Sequence, residues 1–75
     1  MSVVGRWSAG HGHWHEGPCY LVVLERLSTK WLVTYWEHGE QHACIGFDDE
    51  AEARDDVDWL RQVAPVNPDE WLSEA

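Results

Sequence analysis

The sequence has few cysteines, few basic residues and no long apolar run. Two cysteines in 75 residues do not make a disulfide framework, so a reducing, cytoplasmic location is expected. The longest apolar run covers residues 19–24, far short of the roughly 20 residues that span a membrane. The chain does not open with a basic segment followed by an apolar one, so no signal peptide is expected.

Motifs that mark common enzymes are also missing. The chain has no C-x-x-C pair, no H-E-x-x-H, no Walker loop and no dinucleotide-binding fingerprint. His42 and Cys44 stand two residues apart in a predicted strand and would share a face, with Cys44 expected in the core. A nucleophile pair also needs an orienting third group and an oxyanion site, which the sequence does not reveal. We therefore expect a protein that is not an enzyme and carries no cofactor.

The apolar and aromatic content is sufficient for one small folded domain, residues 1–75. Hydrophobic residues make up 44% of the chain and include six tryptophans, which is too apolar for a disordered protein. A chain of this length buries about 60% of the surface that its unfolded form exposes, so it has room for only one core.

The net charge of −9 is concentrated in the second part of the chain. Residues 1–46 carry four acidic and three basic side chains, whereas residues 47–75 carry ten acidic and two basic ones, a net charge of −8. This field repels nucleic-acid phosphates and anionic membranes, so direct binding to either is not expected. It attracts basic protein surfaces.

Three segments have the composition of β-strands: residues 20–27, Trp31–Glu37 and Glu40–Phe47. His38-Gly39 suits a two-residue hairpin turn between the last two, because glycine readily adopts positive φ. This register pairs Tyr35 with His42, Val33 with Cys44, Leu32 with Ile45 and Trp31 with Gly46.

Residues 19–47 are thus predicted to form a three-stranded antiparallel meander. The segment before it, residues 1–18, is predicted to be irregular and rich in glycine and histidine, with room for a short N-terminal strand.

An acidic helix is predicted over residues 48–64. Asp48 or Asp49 begins it, and Pro65 ends it because proline excludes the helical conformation at the residue before it. One apolar stripe follows from the spacing of Ala53, Val57, Leu60 and Ala64.

The remaining residues, 66–75, fit a short C-terminal helical turn that starts with Asn67 as N-cap and Pro68 in the first helical position. The predicted fold class is α+β, a three-stranded β-meander packed by one amphipathic helix (β-β-β-α).

The predicted sheet is apolar on both faces, whereas the one predicted helix can cover only one of them. One face carries Tyr20, Val22, Leu24, Trp31, Val33, Tyr35, His42 and Cys44. The other carries Leu21, Val23, Leu32, Trp36, Ala43 and Ile45. Two coverings of this second face stay open: the N-terminal segment with the turn at Trp71, or a second copy or another partner. A homodimer is therefore one prediction.

Trp59 lies outside the apolar stripe of the predicted helix. It points about 120° or more away from the middle of the stripe, among Glu52, Asp55 and Gln62. It is either an anchor for a partner, since tryptophan is enriched among binding hot spots, or it is covered by Leu72 or Trp71.

The N-terminal loop contains three alternating histidines, His11, His13 and His15. In an extended chain they project from one side roughly 7 Å apart, near enough for neighbours to share a metal ion. Further ligands could come from His38, His42, Cys19 and Cys44. Alternatively, the loop contacts a partner through Trp14.

In composition the chain resembles the small orphan proteins carried by bacteriophages of high-GC actinobacteria. Gly, Ala, Arg and Pro, which GC-rich codons encode, total nineteen residues, whereas Phe, Tyr, Met, Ile, Asn and Lys total seven. The resemblance implies an accessory protein that acts by binding a host factor.

Together these features predict a non-enzymatic, acidic protein-binding module that engages a basic host protein surface, as a nucleic-acid mimic or inhibitor. The contact residues expected are Trp59, Glu52, Asp55, Asp58 and Trp14. The alternative is a small metal-binding protein that uses His11, His13 and His15.

Overall fold

The computed structural model describes residues 2–11 and 17–73. Within these residues the chain forms one α-helix, α1 (Glu50–Val63), and a short 3-10 helix (Pro68–Glu70). The strands are β1 (Ser2–Ala9), β2 (Tyr20–Arg26), β3 (Trp31–Glu37), β4 (Glu40–Phe47) and β5 (Leu72–Ser73).

All five strands belong to one antiparallel sheet with the order β4-β3-β2-β1-β5. The protein is a small α+β domain, but the predicted three-stranded meander is wrong. β1 pairs with the free edge of β2, and β5 pairs with β1. β1 lies in residues 1–18, where the sequence left room for a short strand, but it is eight residues long. The strand signal there is weak because Gly5 interrupts the apolar pattern.

Trp7 lies over the glycine that weakens the sequence signal of β1. A methyl group added to Gly5 would overlap the far edge of the Trp7 indole. Such aromatic cover compensates for the missing side chain in a strand. The Arg61 guanidinium lies 5.8 Å from the centre of the Trp7 ring, which links β1 to α1.

The turn between β3 and β4 is the predicted two-residue hairpin turn at His38 and Gly39. Their φ angles are 51° and 83°, so both central residues have the positive φ of a type I′ turn. Glu37 therefore faces Glu40, as predicted.

The predicted register of β3 and β4 is wrong beyond the turn because β4 contains a β-bulge at His42. Trp36 pairs with Gln41, but Tyr35 pairs with Ala43, so the register moves by one residue. The remaining pairs are Thr34 with Cys44, Val33 with Ile45, Leu32 with Gly46 and Trp31 with Phe47. Since side chains alternate between faces, the shift brings Ala43 and Phe47 onto the core and Cys44 onto the opposite face.

α1 packs its apolar stripe against one face of the sheet. The predicted stripe is buried, at Ala53, Val57, Leu60 and Ala64. It joins a core cluster whose members on the sheet include Val22, Leu24, Val33 and Tyr35. Burial of each large aliphatic side chain contributes roughly 1.5–3 kcal/mol.

Both ends of α1 are set by local chemistry that the sequence predicts. Asp49 is the N-cap, and its side chain accepts a hydrogen bond of 3.2 Å from the backbone N–H of Ala51. Ala64 has the extended ψ of 143° that proline imposes on the residue before it, and Pro65 follows. Among the described residues, no helix is long and apolar enough to cross a membrane.

The C-terminal segment contains the predicted helical turn, as a 3-10 helix with Pro68 in its first position, and then returns to the sheet. Asn67 caps the 3-10 helix by accepting a 3.0 Å hydrogen bond from Asp69 N–H. Trp71 is buried, and its indole N–H donates to the carbonyl oxygen of Arg61 at 3.0 Å. β5 then pairs with β1, so the segment is attached to both layers of the domain.

The second face of the sheet, called here the open face, has neither described helix packed on it. Its residues are Val3, Arg6, Ser8, Leu21, Val23, Glu25, Leu32, Thr34, Trp36, Gln41, Cys44, Gly46 and Leu72. Of the coverings expected for this face, the Trp71 turn and residues 2–9 do not supply one, and residues 12–16 of the N-terminal segment lie outside the described residues. Residues 2–9 form a strand of the sheet itself, and Trp71 joins the core on the helix side.

Gly10 is expected to be sensitive to substitution, because its φ of +77° and its surroundings both disfavour a side chain. A Cβ atom there would lie 2.8 Å from Cys19 Cβ. Gly10→Ala should destabilise the domain by roughly 2–4 kcal/mol, the sum of left-handed strain and overpacking. That corresponds to a decrease in Tm of about 10 °C or more in thermal unfolding followed by circular dichroism.

Gly39→Ala is the matched control for this prediction. Its φ is +83°, but a Cβ atom there would contact nothing within 4 Å. It should cost only the backbone strain, roughly 1–2 kcal/mol. Equal losses in the two variants would contradict the close packing of Gly10 on Cys19.

Candidate functional site

The outward side of α1 carries two exposed apolar side chains, Trp59 and Val63. Their exposed fractions are 58% and 54%. They are four residues apart and are therefore neighbours on the helix surface. Their position follows from the packing of the apolar stripe, which faces the sheet and leaves the opposite side of the helix in solvent.

The structure contradicts the alternative that the C-terminal turn covers Trp59. Trp71 is buried beside Arg61, on a different side of α1. Leu72 pairs with Ser8 at the edge of the sheet and is itself 54% exposed. Trp59 is thus a large aromatic side chain that the described residues leave exposed.

Exposed carboxylates lie on the solvent side of α1, with Glu52 and Asp55 beside Trp59 and Asp58 on the flank of Arg61. Glu52, Asp55 and Asp58 are all exposed, as the spacing of the stripe predicts. Within residues 2–11 and 17–73, only Asp58 of these three has a cation in ion-pair range, with its Oδ1 3.5 Å from Arg61 Nη1. The outward side of the helix therefore presents net negative charge.

The two arginines of α1 do little to neutralise this side of the helix. Arg54 pairs with Glu50 through an Nε–Oε2 contact of 2.8 Å. Arg61 divides its guanidinium between Asp58 and the Trp7 ring. Both arginines thus pair on the flank of α1 that carries Glu50 and Asp58, away from Glu52 and Asp55 beside Trp59.

The histidine loop is only partly within the described residues. His13, His15 and Trp14 lie outside them. His11 is exposed, and its Nε2 is 2.9 Å from the hydroxyl of Ser8. Among the residues that the structure describes, no three His, Cys, Asp or Glu side chains form a group that could hold a metal ion.

The structure separates His42 from Cys44, which the sequence predicted to share a face. The His42 ring lies 6.4 Å from the ring of Tyr35, a core residue. Cys44 instead opposes Thr34 on the open face and is exposed, so its predicted place in the core is wrong. The cause is the bulge at His42. It inserts one residue into β4, so each following side chain lies on the opposite face from the one predicted.

One pocket was not predicted from the sequence. It has a volume of about 400 Å³ and lies where the start of β2, the β3–β4 turn and the segment after α1 meet. Its lining residues are Gly10, Cys19, Tyr20, His38, Pro65, Val66, Asn67 and Glu70. These residues come from distant parts of the chain, so no local pattern could reveal the pocket.

Two tyrosines near this pocket remain protonated at neutral pH. Burial, with the nearby charge of Glu37, raises the pKa of Tyr20. The pKa of Tyr35 is also raised, first by burial and then by its 2.8 Å hydrogen bond to Glu37 Oε2. Neither phenol supplies a base, and we assign no reaction to the pocket.

Comparisons of the chain with models of protein families, with curated proteins and with solved structures found no match.

Asp56 carries a partly buried carboxyl group on the flank of α1. Its Oδ2 atom is buried without a hydrogen-bond partner in the described structure, and burial raises the pKa of the side chain above 3.8. A carboxyl whose pKa is raised on folding destabilises the fold when it is ionised. This cost is absent below pH 3.8 and appears as the pH rises through the folded-state pKa.

Asp56→Asn should therefore stabilise the protein at pH 7, because an amide is less costly to bury than a carboxylate. We expect a gain of about 1 kcal/mol at most, or an increase in Tm of roughly 2–6 °C, since part of the side chain reaches solvent. Thermal unfolding at pH 7 and pH 4 measures the difference in Tm between Asp56→Asn and the wild type. This difference should be smaller at pH 4.

Asp55→Asn is the control, because it removes the same charge from an exposed position on α1. It should change Tm by less than about 2 °C. A loss of stability in Asp56→Asn at pH 7 would contradict the unfavourable burial of this carboxylate.

Proposed function

We propose that the protein is a binding module that engages a basic surface of another protein through the outward side of α1. Trp59 is the anchor, and Glu52, Asp55 and Asp58 supply the surrounding charge. The observation that carries this proposal is the 58% exposure of Trp59 on an acidic helix. A non-enzymatic role in the cytoplasm is part of the proposal.

The side chains of this surface suit a partner rich in arginine. Arginine stacks on an indole ring and also pairs with carboxylates, so one arginine can contact Trp59 and Asp55 together. Burial of the exposed indole adds apolar contact area to this pairing. The charge of the helix attracts such a partner over distance, and the indole then contributes to the lifetime of the complex.

The spacing of the carboxylates supports a partner surface that otherwise binds nucleic acid. Glu52, Asp55 and Asp58 follow each other at intervals of three residues, about 4.5 Å along the helix axis. They wind around the solvent side of the helix as a short series of negative charges, which could occupy part of a phosphate-binding groove. The compositional resemblance to actinobacterial phage proteins makes a host protein the first partner to examine.

The metal-binding alternative receives no support from the described residues. Two of its three histidines lie outside them, and His11 contacts Ser8. It stays a prediction, which metal analysis of the untagged protein addresses.

The double variant Asp55→Lys, Asp58→Lys should lose the partner, because it turns the attractive charge around Trp59 into a repulsive one. Affinity capture from an actinobacterial host lysate, with proteins identified by mass spectrometry, provides the partner. Calorimetry with the purified partner should then give a Kd raised at least tenfold, about 1.4 kcal/mol. Added duplex DNA should compete with the protein for the same partner.

Glu40→Lys, Asp69→Lys is the matched control for that variant. Both residues are exposed and lie outside α1, and their reversal changes the net charge by the same +4. Binding should stay within about threefold of the wild type at physiological salt, because these charges lie outside the contact. Equal losses in both double variants would mean that the total charge matters and the helix surface does not.

Trp59→Ala tests the apolar part of the contact separately from its charge. Because the indole is exposed and touches little of the fold, thermal stability should change by less than about 1 kcal/mol. Binding to the purified partner should weaken by about 2 kcal/mol, roughly 30-fold, mainly through faster dissociation. An unchanged Kd would exclude Trp59 as the anchor.

A further inference from the structure

The open face of the sheet is an ordered apolar surface built from three rows of residues that the strand register aligns. The middle row is Arg6, Val23, Thr34 and Cys44. The row toward the β3–β4 turn is Leu72, Ser8, Leu21, Trp36 and Gln41. The row toward the other end is Val3, Glu25, Leu32 and Gly46.

The strongest apolar residues of this face are concentrated in its centre. Leu21, Val23, Leu32 and Trp36 lie on the two central strands, β2 and β3, and line a shallow depression of about 360 Å³. All four are half-buried by their neighbours in the sheet and reach solvent only toward the open face. An apolar centre with polar residues at its margin is the arrangement of a protein interface.

The charge of the open face favours a second copy over a basic or acidic partner. Among the described residues, the face carries Arg6, Glu25 and, at its margin beside Gly46, Lys30, although the chain as a whole has a net charge of −9. A surface with so few charges of mixed sign does not select a strongly basic or acidic partner. In a two-fold symmetric contact the same patch meets itself, so an apolar patch with few charges can pair with its own copy.

We propose that the protein forms a symmetric homodimer through the open face, with the two α1 helices on the outside. This inference is independent of the partner proposed for α1.

The acidic helices make this arrangement electrostatically acceptable. α1 lies on the opposite side of the sheet, and packed layers are about 10 Å apart, so the two helices would be roughly 30 Å apart. That separation exceeds the Debye length of about 8 Å at physiological salt. A dimer formed through the helix sides would instead bring the two strongly acidic surfaces into contact.

The exposed sheet edge is less suited to dimerisation than the open face. β4 is the edge strand beside β3, and its bulge at His42 interrupts the row of backbone groups that a second strand would pair with. At the other edge, β5 pairs with only two residues of β1, and the exposed remainder of β1 is itself interrupted by a register shift between Val3 and Gly5. Natural sheets use such bulges and short edge strands to avoid edge-to-edge pairing.

The size of the open face predicts a reversible dimer. Four strands at about 4.8 Å spacing and six residues at about 3.3 Å give a patch of roughly 20 by 20 Å. Because Ser8 and Thr34 within the patch are already buried, two such patches bury at most about 1,000 Å², near the lower limit of specific interfaces. We therefore expect a dissociation constant in the micromolar range, roughly 1–100 µM.

Sedimentation of the full chain over a concentration series tests the oligomeric state. The mass should rise from 8.7 kDa toward twice that value between about 1 µM and 1 mM. A protein that stays monomeric over this range would overturn the proposal.

The variant Val23→Lys tests which face forms the dimer. It places a charge at the centre of the open face in both copies, and we expect the dissociation constant to rise at least tenfold. Val63→Lys makes the same substitution on the outward side of α1 and should leave dimerisation unchanged. The opposite pattern would locate the interface on the helix and refute the proposal.

The thiol of Cys44 provides a second measurement that needs no variant. Cys44 is exposed on the open face, whereas Cys19 is only 4% exposed in the fold. The rate of maleimide labelling at Cys44 should fall severalfold as the protein concentration rises through the dissociation constant. A rate that stays constant while the sedimentation mass doubles would place the dimer interface elsewhere. This readout also holds if Val23→Lys fails to fold.

Discussion

The packing of α1 on one face of the sheet determines where the other parts of the molecule lie. The small residues Ala53 and Ala64 let the helix approach, and Val57 and Leu60 fill the layer over Val22, Leu24 and Val33. This contact makes one face of the sheet the core and leaves the other face open. It also orients α1 so that Trp59 and the carboxylates beside it point away from the sheet.

The domain therefore has two opposite sides with different chemistry. The helix side is strongly acidic and carries an exposed tryptophan, whereas the open face of the sheet is apolar and nearly neutral. If both proposals hold, each dimer presents two acidic helices about 30 Å apart. A partner with two basic sites could then bind both helices at once and gain affinity from effective concentration.

Local patterns in the sequence predicted most individual elements. The three central strands, the His38-Gly39 turn, the Asp49 N-cap and the helix end at Pro65 each depend on neighbouring residues. The prediction that Trp59 lies off the apolar stripe also needed only helical periodicity. The sequence left room for β1 only as a short strand, and β5 was missed, because a glycine-containing strand and a two-residue strand are formed by pairing with neighbours and their own composition indicates little.

The sequence by itself determined the acidic character, the α+β class, the helix with its buried stripe and the outward position of Trp59. Only the tertiary structure decided the number of strands, the register of β4 and the face on which Cys44 lies. The physical reason is the two-residue period of a strand: one bulged residue at His42 reverses every following side chain. Such a bulge forms when the whole sheet packs against α1, because it brings Ala43 and Phe47 into the core.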